Sequence, residues 1–185
     1  MTAGARTAGR VDPRPWIAWT AGFLAFPVAG VAGRLAGGPV DDLLAAALGG
    51  AVTGLVVGIG QSLAGRGTIP AARWILATSL GMALGLTLGA AAVGYRTSLG
   101  ELALMGALTG LPLGIAQALA LPPSTRRRWL WVGTTPVLWS LGWTVTTLIG
   151  FDVASQVTVF GASGAVVVSA LSGAVLLGLP RQAAS

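Results

Sequence analysis

The 185-residue sequence contains no cysteine and no histidine, and it carries few charges. Without cysteine and histidine the chain can form no disulfide, no thiolate or imidazole metal site and no Cys/His catalytic pair. Charged residues make up 9% of the sequence, whereas soluble globular domains carry about 25%. A soluble fold would therefore lack the polar surface that keeps a protein dispersed in water.

The chain is instead rich in long apolar segments, and 54% of its residues are hydrophobic. Each segment is near or above the ~20 residues that a helix needs to cross ~30 Å of hydrocarbon. The sequence thus predicts an all-α, polytopic membrane protein with six transmembrane helices. The six segments without Asp, Glu, Lys or Arg are 16–33, 43–65, 74–95, 102–125, 129–151 and 153–180.

Arginines and acids divide between the two ends of these segments. One side holds nine of the eleven basic residues, all of them arginine: Arg6, Arg10, Arg14, Arg66, Arg73, Arg126, Arg127, Arg128 and Arg181. The other side holds Arg34 and Arg96 but four of the five acids. Short arginine-rich loops remain cytoplasmic, so we predict a protein of the inner cell membrane with both termini inside. Residues 1–15 and 181–185 would be cytoplasmic tails, and residues 16–180 a single transmembrane domain.

The net charge of +6 arises from arginines in short loops, so we expect no nucleic-acid partner. Arg126, Arg127 and Arg128 form a candidate site for anionic lipid headgroups, although control of topology is the interpretation we favour. The expected partners are membrane lipids, with a second membrane protein or another copy of this chain as further candidates.

An internal repeat organises the predicted spans. Residues 50–61 (GAVTGLVVGIGQ) match residues 106–117 (GALTGLPLGIAQ) in register. The odd-numbered spans share a Trp-x-x-x-Thr pattern that begins at Trp16, Trp74 and Trp131. The sixth span is the weakest copy. These matches predict three tandem two-helix repeats, at about 13–65, 70–120 and 126–180. Repeats with an even number of helices share one orientation, so we predict a pseudo-threefold bundle about the membrane normal.

Glycines recur every fourth residue in several spans, for example at Gly50, Gly54 and Gly58. Such a stripe leaves one helix face without side chains and lets neighbouring backbones approach closely. We interpret the stripes as a glycine zipper inside the bundle, with homo-oligomerisation as the alternative. The alternating glycine and Trp-x-x-x-Thr segments resemble a loose group of uncharacterised bacterial multi-pass membrane proteins. The resemblance covers nearly the whole chain after residue 15, and it implies a fold but no activity.

No span carries an ionisable side chain that could activate a nucleophile or couple transport to protons. We therefore expect no enzyme, no cofactor and no bound metal. The first interpretation is a structural or accessory membrane subunit; the alternative is a passive transporter or binder of a small neutral or lipophilic molecule. Trp139 and Trp143 lie four residues apart on one helix face and form a candidate apolar pocket.

A candidate polar cluster completes the set of sites that the sequence suggests. Its members are expected at one depth near the cytoplasmic side of the bundle, where repeat symmetry would arrange them around the axis. They are expected either to clamp helices together by hydrogen bonds or to form a ring for a neutral polar group. In the sixth span Val175 lies at the position that Gln61 and Gln117 occupy in the other repeats, and it would interrupt the ring. The members are Thr20, Gln61, Thr78, Gln117 and Thr135.

Overall fold

The computed structural model describes residues 12–150 and 161–179, and all its regular elements are helices. The first predicted span is covered by a helix at Arg14–Ala21, a 3-10 turn at Gly22–Leu24 and a helix at Ala25–Gly37. The predictions for the tails, Asp152 and Arg181 fall outside the described residues, apart from the last residues of the amino-terminal tail. The helices are α1 (Arg14–Ala21), α2 (Ala25–Gly37), α3 (Leu43–Ala64), α4 (Ala71–Ala92), α5 (Leu99–Ala120), α6 (Trp129–Leu148) and α7 (Ala162–Gly178).

Local sequence explains where several helices begin and end. The Asp42 side chain accepts a hydrogen bond from the Ala45 amide at 2.8 Å and so caps the start of α3. Ser98 and Glu101 form a reciprocal capping box at the start of α5. At the end of α4, Gly94 and Tyr95 both have positive φ, and the Tyr95 amide bonds to the Ala90 carbonyl at 2.9 Å. This left-handed turn stops the helix.

Four helical segments are long and apolar enough to cross a membrane: Arg14–Gly37, Leu43–Ala64, Ala71–Ala92 and Leu99–Ala120. Helix α6 has 20 residues and is not among these four segments. Helix α7 has 17 residues and is apolar. Length and composition thus identify four of the six predicted spans.

Large apolar side chains point away from the bundle. On α4, Leu76, Leu80, Leu84 and Leu88 follow one another every four residues, and each is 52–60% exposed. The opposite face of α4 is buried and contains Gly81, Gly85 and Gly89. A surface of this kind is unfavourable in water but matches a hydrocarbon environment, in which large side chains face the lipid and small ones face the protein.

The helices form a closed ring in which each one packs against the next, and α7 returns to pack against α1. Glycines lie at these contacts. A Cβ atom built on Gly54 of α3 would lie 2.5 Å from the Thr78 carbonyl oxygen of α4. A Cβ atom on Gly85 of α4 would lie 2.4 Å from the Thr109 carbonyl oxygen of α5. These helix pairs approach so closely that no side chain fits between them.

Candidate functional site

Three tryptophans meet at the centre of the bundle, near the end where α1, α4 and α6 begin. Trp19 and Trp74 pack edge to face with ring centroids 6.0 Å apart, and Trp74 and Trp131 do the same at 5.8 Å. All three side chains are buried, with at most 3% of their surface exposed. Edge-to-face contact is a favourable arrangement of aromatic rings. We call Trp19, Trp74 and Trp131 the tryptophan belt.

Each indole of the tryptophan belt donates a hydrogen bond to a side-chain oxygen on the neighbouring span. Trp74 donates to the Gln61 amide oxygen at 2.9 Å, and Trp131 donates to the Gln117 amide oxygen at 2.9 Å. Trp19 donates to the Ser172 hydroxyl at 3.0 Å. The belt thus joins α1 to α7, α4 to α3, and α6 to α5.

Gln117 is the most connected side chain of this region and is only 2% exposed. Besides accepting from Trp131, its amide nitrogen donates to the Thr78 hydroxyl at 2.9 Å and approaches the Gln61 oxygen at 3.4 Å. The Thr78 hydroxyl in turn donates to the Trp74 carbonyl at 2.7 Å. Gln61, Thr78 and Gln117, three of the five predicted cluster residues, therefore belong to one hydrogen-bond network.

The other two predicted residues lie outside the network. Thr135 donates to the Trp131 carbonyl of its own helix at 2.6 Å, and it packs beside Gly114. The hydroxyl of Thr20 is buried and has no hydrogen-bond partner among the described residues. Three members of the predicted cluster are therefore joined by hydrogen bonds. Thr135 lies next to this network, and Thr20 lies apart from it.

The register of the first and sixth spans differs from the sequence prediction. Trp19, not Trp16, lies in the belt; Trp16 is 39% exposed and donates to the Ala170 carbonyl at 2.9 Å. In the sixth span Ser172 supplies the acceptor, while Val175 packs against the belt. Spacing does not select this register, because Trp74 follows Trp19 by 55 residues and Trp16 by 58, while Trp131 follows Trp74 by 57.

A cavity with a volume of about 100 Å³ occupies the other half of the bundle. It is lined by Trp139 and Trp143, the predicted apolar pair, which are 4% and 7% exposed. Met82 and Met105 also line it, and Thr53 is among its few polar residues. Because the Thr53 hydroxyl donates to the Ala29 carbonyl at 3.2 Å, the inner part of the cavity is largely apolar.

The cavity mouth consists of Arg34, Tyr95 and Arg96, which the sequence did not single out as site residues. Arg34 lies near the end of α2, and the other two lie in the loop after α4. These residues lie at the ends of the first and third spans, whereas the belt tryptophans lie near the beginnings of the odd-numbered spans. The cavity therefore opens at the end of the bundle opposite to the tryptophan belt.

The arginine run lies in the loop between α5 and α6. Arg126 and Arg127 are exposed, and Arg127 has a positive φ of 55°. The Arg128 guanidinium lies 5.5 Å from the centre of the Trp129 ring, a cation–π distance. Lipid binding by this run stays a prediction.

Among residues 12–150 and 161–179, no group of three or more His, Cys, Asp and Glu side chains could hold a metal ion. No protein-family model, no curated protein and no solved structure matches this chain.

Proposed function

We propose that this chain is a six-span integral membrane protein with both termini in the cytoplasm. The exposed leucine stripe of α4 and the four long apolar segments support its membrane location. Three repeats around the membrane normal are part of the proposal, because the Trp74 and Trp131 indoles both donate to a Gln of the preceding span. Trp19 and Ser172 make the third equivalent bond.

We further propose that the protein binds a small lipophilic molecule from the outer side and provides no passage across the membrane. One observation carries this function: the cavity beside Trp139 and Trp143 is apolar, open at one end, and separated from the other end by the tryptophan belt. Ligand sites are typically concave and mostly apolar. Three buried tryptophans in edge-to-face contact leave no route along the axis.

The test uses purified full-length protein and toluene, a neutral apolar probe. An enclosed apolar cavity of about 150 Å³ in another protein holds benzene. The cavity here is smaller but open at one end, so part of the toluene molecule can extend into the mouth. We expect toluene to bind saturably and to change the fluorescence of Trp139 and Trp143. In proteoliposomes without toluene, we expect the protein to conduct no ions.

A matched pair of variants locates the site. Ala90 is 1% exposed and lines the cavity, whereas Ala91 is exposed. Ala90→Leu should fill the cavity and abolish toluene binding with an unchanged or higher melting temperature. Ala91→Leu should bind like the parent protein. Equal binding by both variants would contradict the proposed site.

A structural or accessory subunit is the second candidate function. The hydrogen bonds of Gln61, Thr78 and Gln117 favour it, because they use the interior polar groups for helix packing. Purification in a mild detergent tests this role. A stoichiometric membrane-protein partner that stays bound would support it, and a monodisperse monomer would argue against it.

A further inference from the structure

The two arginines of the outer side both lie at the cavity mouth. Arg34 is exposed, and its side chain has no hydrogen-bond or ion-pair partner among the residues that the structure describes. Arg96 uses its Nε atom for two contacts, with the Glu101 carboxylate at 2.5 Å and the Val93 carbonyl at 3.2 Å. One guanidinium group at the mouth is thus paired with a carboxylate, and the other has no ion-pair partner among the described residues.

Among the described residues, the charged side chains that line the cavity are Arg34 and Arg96. Asp42 accepts the hydrogen bond that caps α3, and neither Asp41 nor Asp42 lines the cavity. Guanidinium groups bind carboxylate and phosphate oxygens through paired N–H donors. Arg96 bonds to Glu101 and Val93 through its Nε atom, which leaves its terminal nitrogens to donate in this way.

Tyr95 adds an aromatic side chain to the mouth. Its φ of 58° belongs to the left-handed turn that ends α4. Its half-buried side chain packs against the apolar cluster that includes Met105 and Trp143. The mouth thus places arginine beside apolar surface, which is the combination that an amphipathic ligand needs.

We propose that the cavity binds an amphipathic monoanion, with its acid group at Arg34 and Arg96 and its apolar body against Met82, Trp139 and Trp143. The inference rests on the proposed binding function and adds the charge of the ligand. The cavity volume of about 100 Å³ limits the enclosed part to roughly one six-membered ring. Such a ligand could be a small acid from the aqueous phase or the acidic end of a lipid.

Titration calorimetry with the full chain in detergent distinguishes these possibilities. The probes are phenylacetate, its uncharged analogue phenylacetamide, and oleate. We expect phenylacetate or oleate to bind at least tenfold more tightly than phenylacetamide, because a charge-assisted hydrogen bond is about twice as strong as a neutral one. Binding of phenylacetate indicates an aqueous ligand, and binding of oleate alone indicates a lipid.

Arg34→Gln should weaken binding of the acid about tenfold and leave phenylacetamide binding unchanged. Arg66→Gln, in the loop at the opposite end of the bundle, is the matched control and should bind like the parent. Since both arginines are exposed, neither change should alter the melting temperature. Equal affinity for the acid and the amide would overturn the inference and preserve the proposed function. If neither the acids, the amide nor toluene binds, both fail.

Discussion

At the scale of single residues, Gln117 has the greatest structural importance in this chain. Its side chain is almost fully buried and contacts Gln61, Thr78 and Trp131, each on a different helix. An amide without a partner in an apolar interior is destabilising by roughly 1–3 kcal/mol. The residue thus holds α3, α4, α5 and α6 in one relative position.

Replacing Gln117 by Leu should lower the free energy of unfolding by about 1–3 kcal/mol, because Trp131 and Thr78 would lose their partner. Gln61→Leu should have a smaller effect, since the Gln61 side chain is only partly buried. Thermal unfolding in detergent measures both effects. Thr144→Val is the control, because among the described residues the Thr144 hydroxyl bonds only to the Ser140 carbonyl of its own helix. Equal melting temperatures for Gln117→Leu and Thr144→Val would contradict the prediction.

The sequence identified Gln61, Thr78 and Gln117 because polar residues that recur in apolar spans must find partners. It assigned Trp16 to the pattern because a Thr follows four residues later. Burial, however, depends on which helix face meets α7, and this face contains Trp19. A local motif does not encode that contact. Ser172 was not predicted as a site residue, because only its position opposite Trp19 distinguishes it from the other serines of α7.

At the scale of helices, small residues determine how closely neighbours pack. Gly85 lies against the Thr109 backbone, whereas a Cβ atom on Gly133 of α6 would meet no heavy atom within 4 Å. The two glycines therefore differ in packing while both lie inside a helix. This contrast provides an internal control for the role of close helix contact.

Gly85→Ala should destabilise the protein by about 1–3 kcal/mol, because the added methyl group forces α4 away from α5. Gly133→Ala should be neutral or stabilising by up to about 1 kcal/mol, as alanine favours helix over glycine. Chemical or thermal unfolding of the two variants side by side measures the difference. Similar destabilisation by both changes would mean that α4 and α5 do not depend on this contact.

For the first five segments, helix bounds followed from the uncharged segments to within five residues, and several of the differences have local causes; the predicted start of the sixth lies outside the described residues. Helix α3 begins at Leu43 and ends at Ala64, against the predicted 43–65. Helix α5 begins at Leu99, before the predicted 102, because its capping residue Glu101 is charged and a charge-free window excludes it. The 3-10 turn at Gly22–Leu24 had no signal in the composition of the first segment.

At the scale of the whole molecule, the distribution of arginine determines the proposed orientation. The native chain lacks cysteine, so single cysteines can report on each side. In intact cells, Thr97→Cys in the loop between α4 and α5 should react with a membrane-impermeant maleimide. Thr2→Cys should react only after the membrane is permeabilised, since the arginine-rich side remains cytoplasmic. Labelling of Thr2→Cys from outside would refute the topology.

The bond from Trp19 to Ser172 joins residues 153 positions apart and closes the ring of helices. During translation the first span emerges from the ribosome long before α7 is made. Its indole donor must therefore remain without its final acceptor while α3 to α6 insert. Packing of the last helix, α7, against the first, α1, is therefore the final step in assembly of the ring.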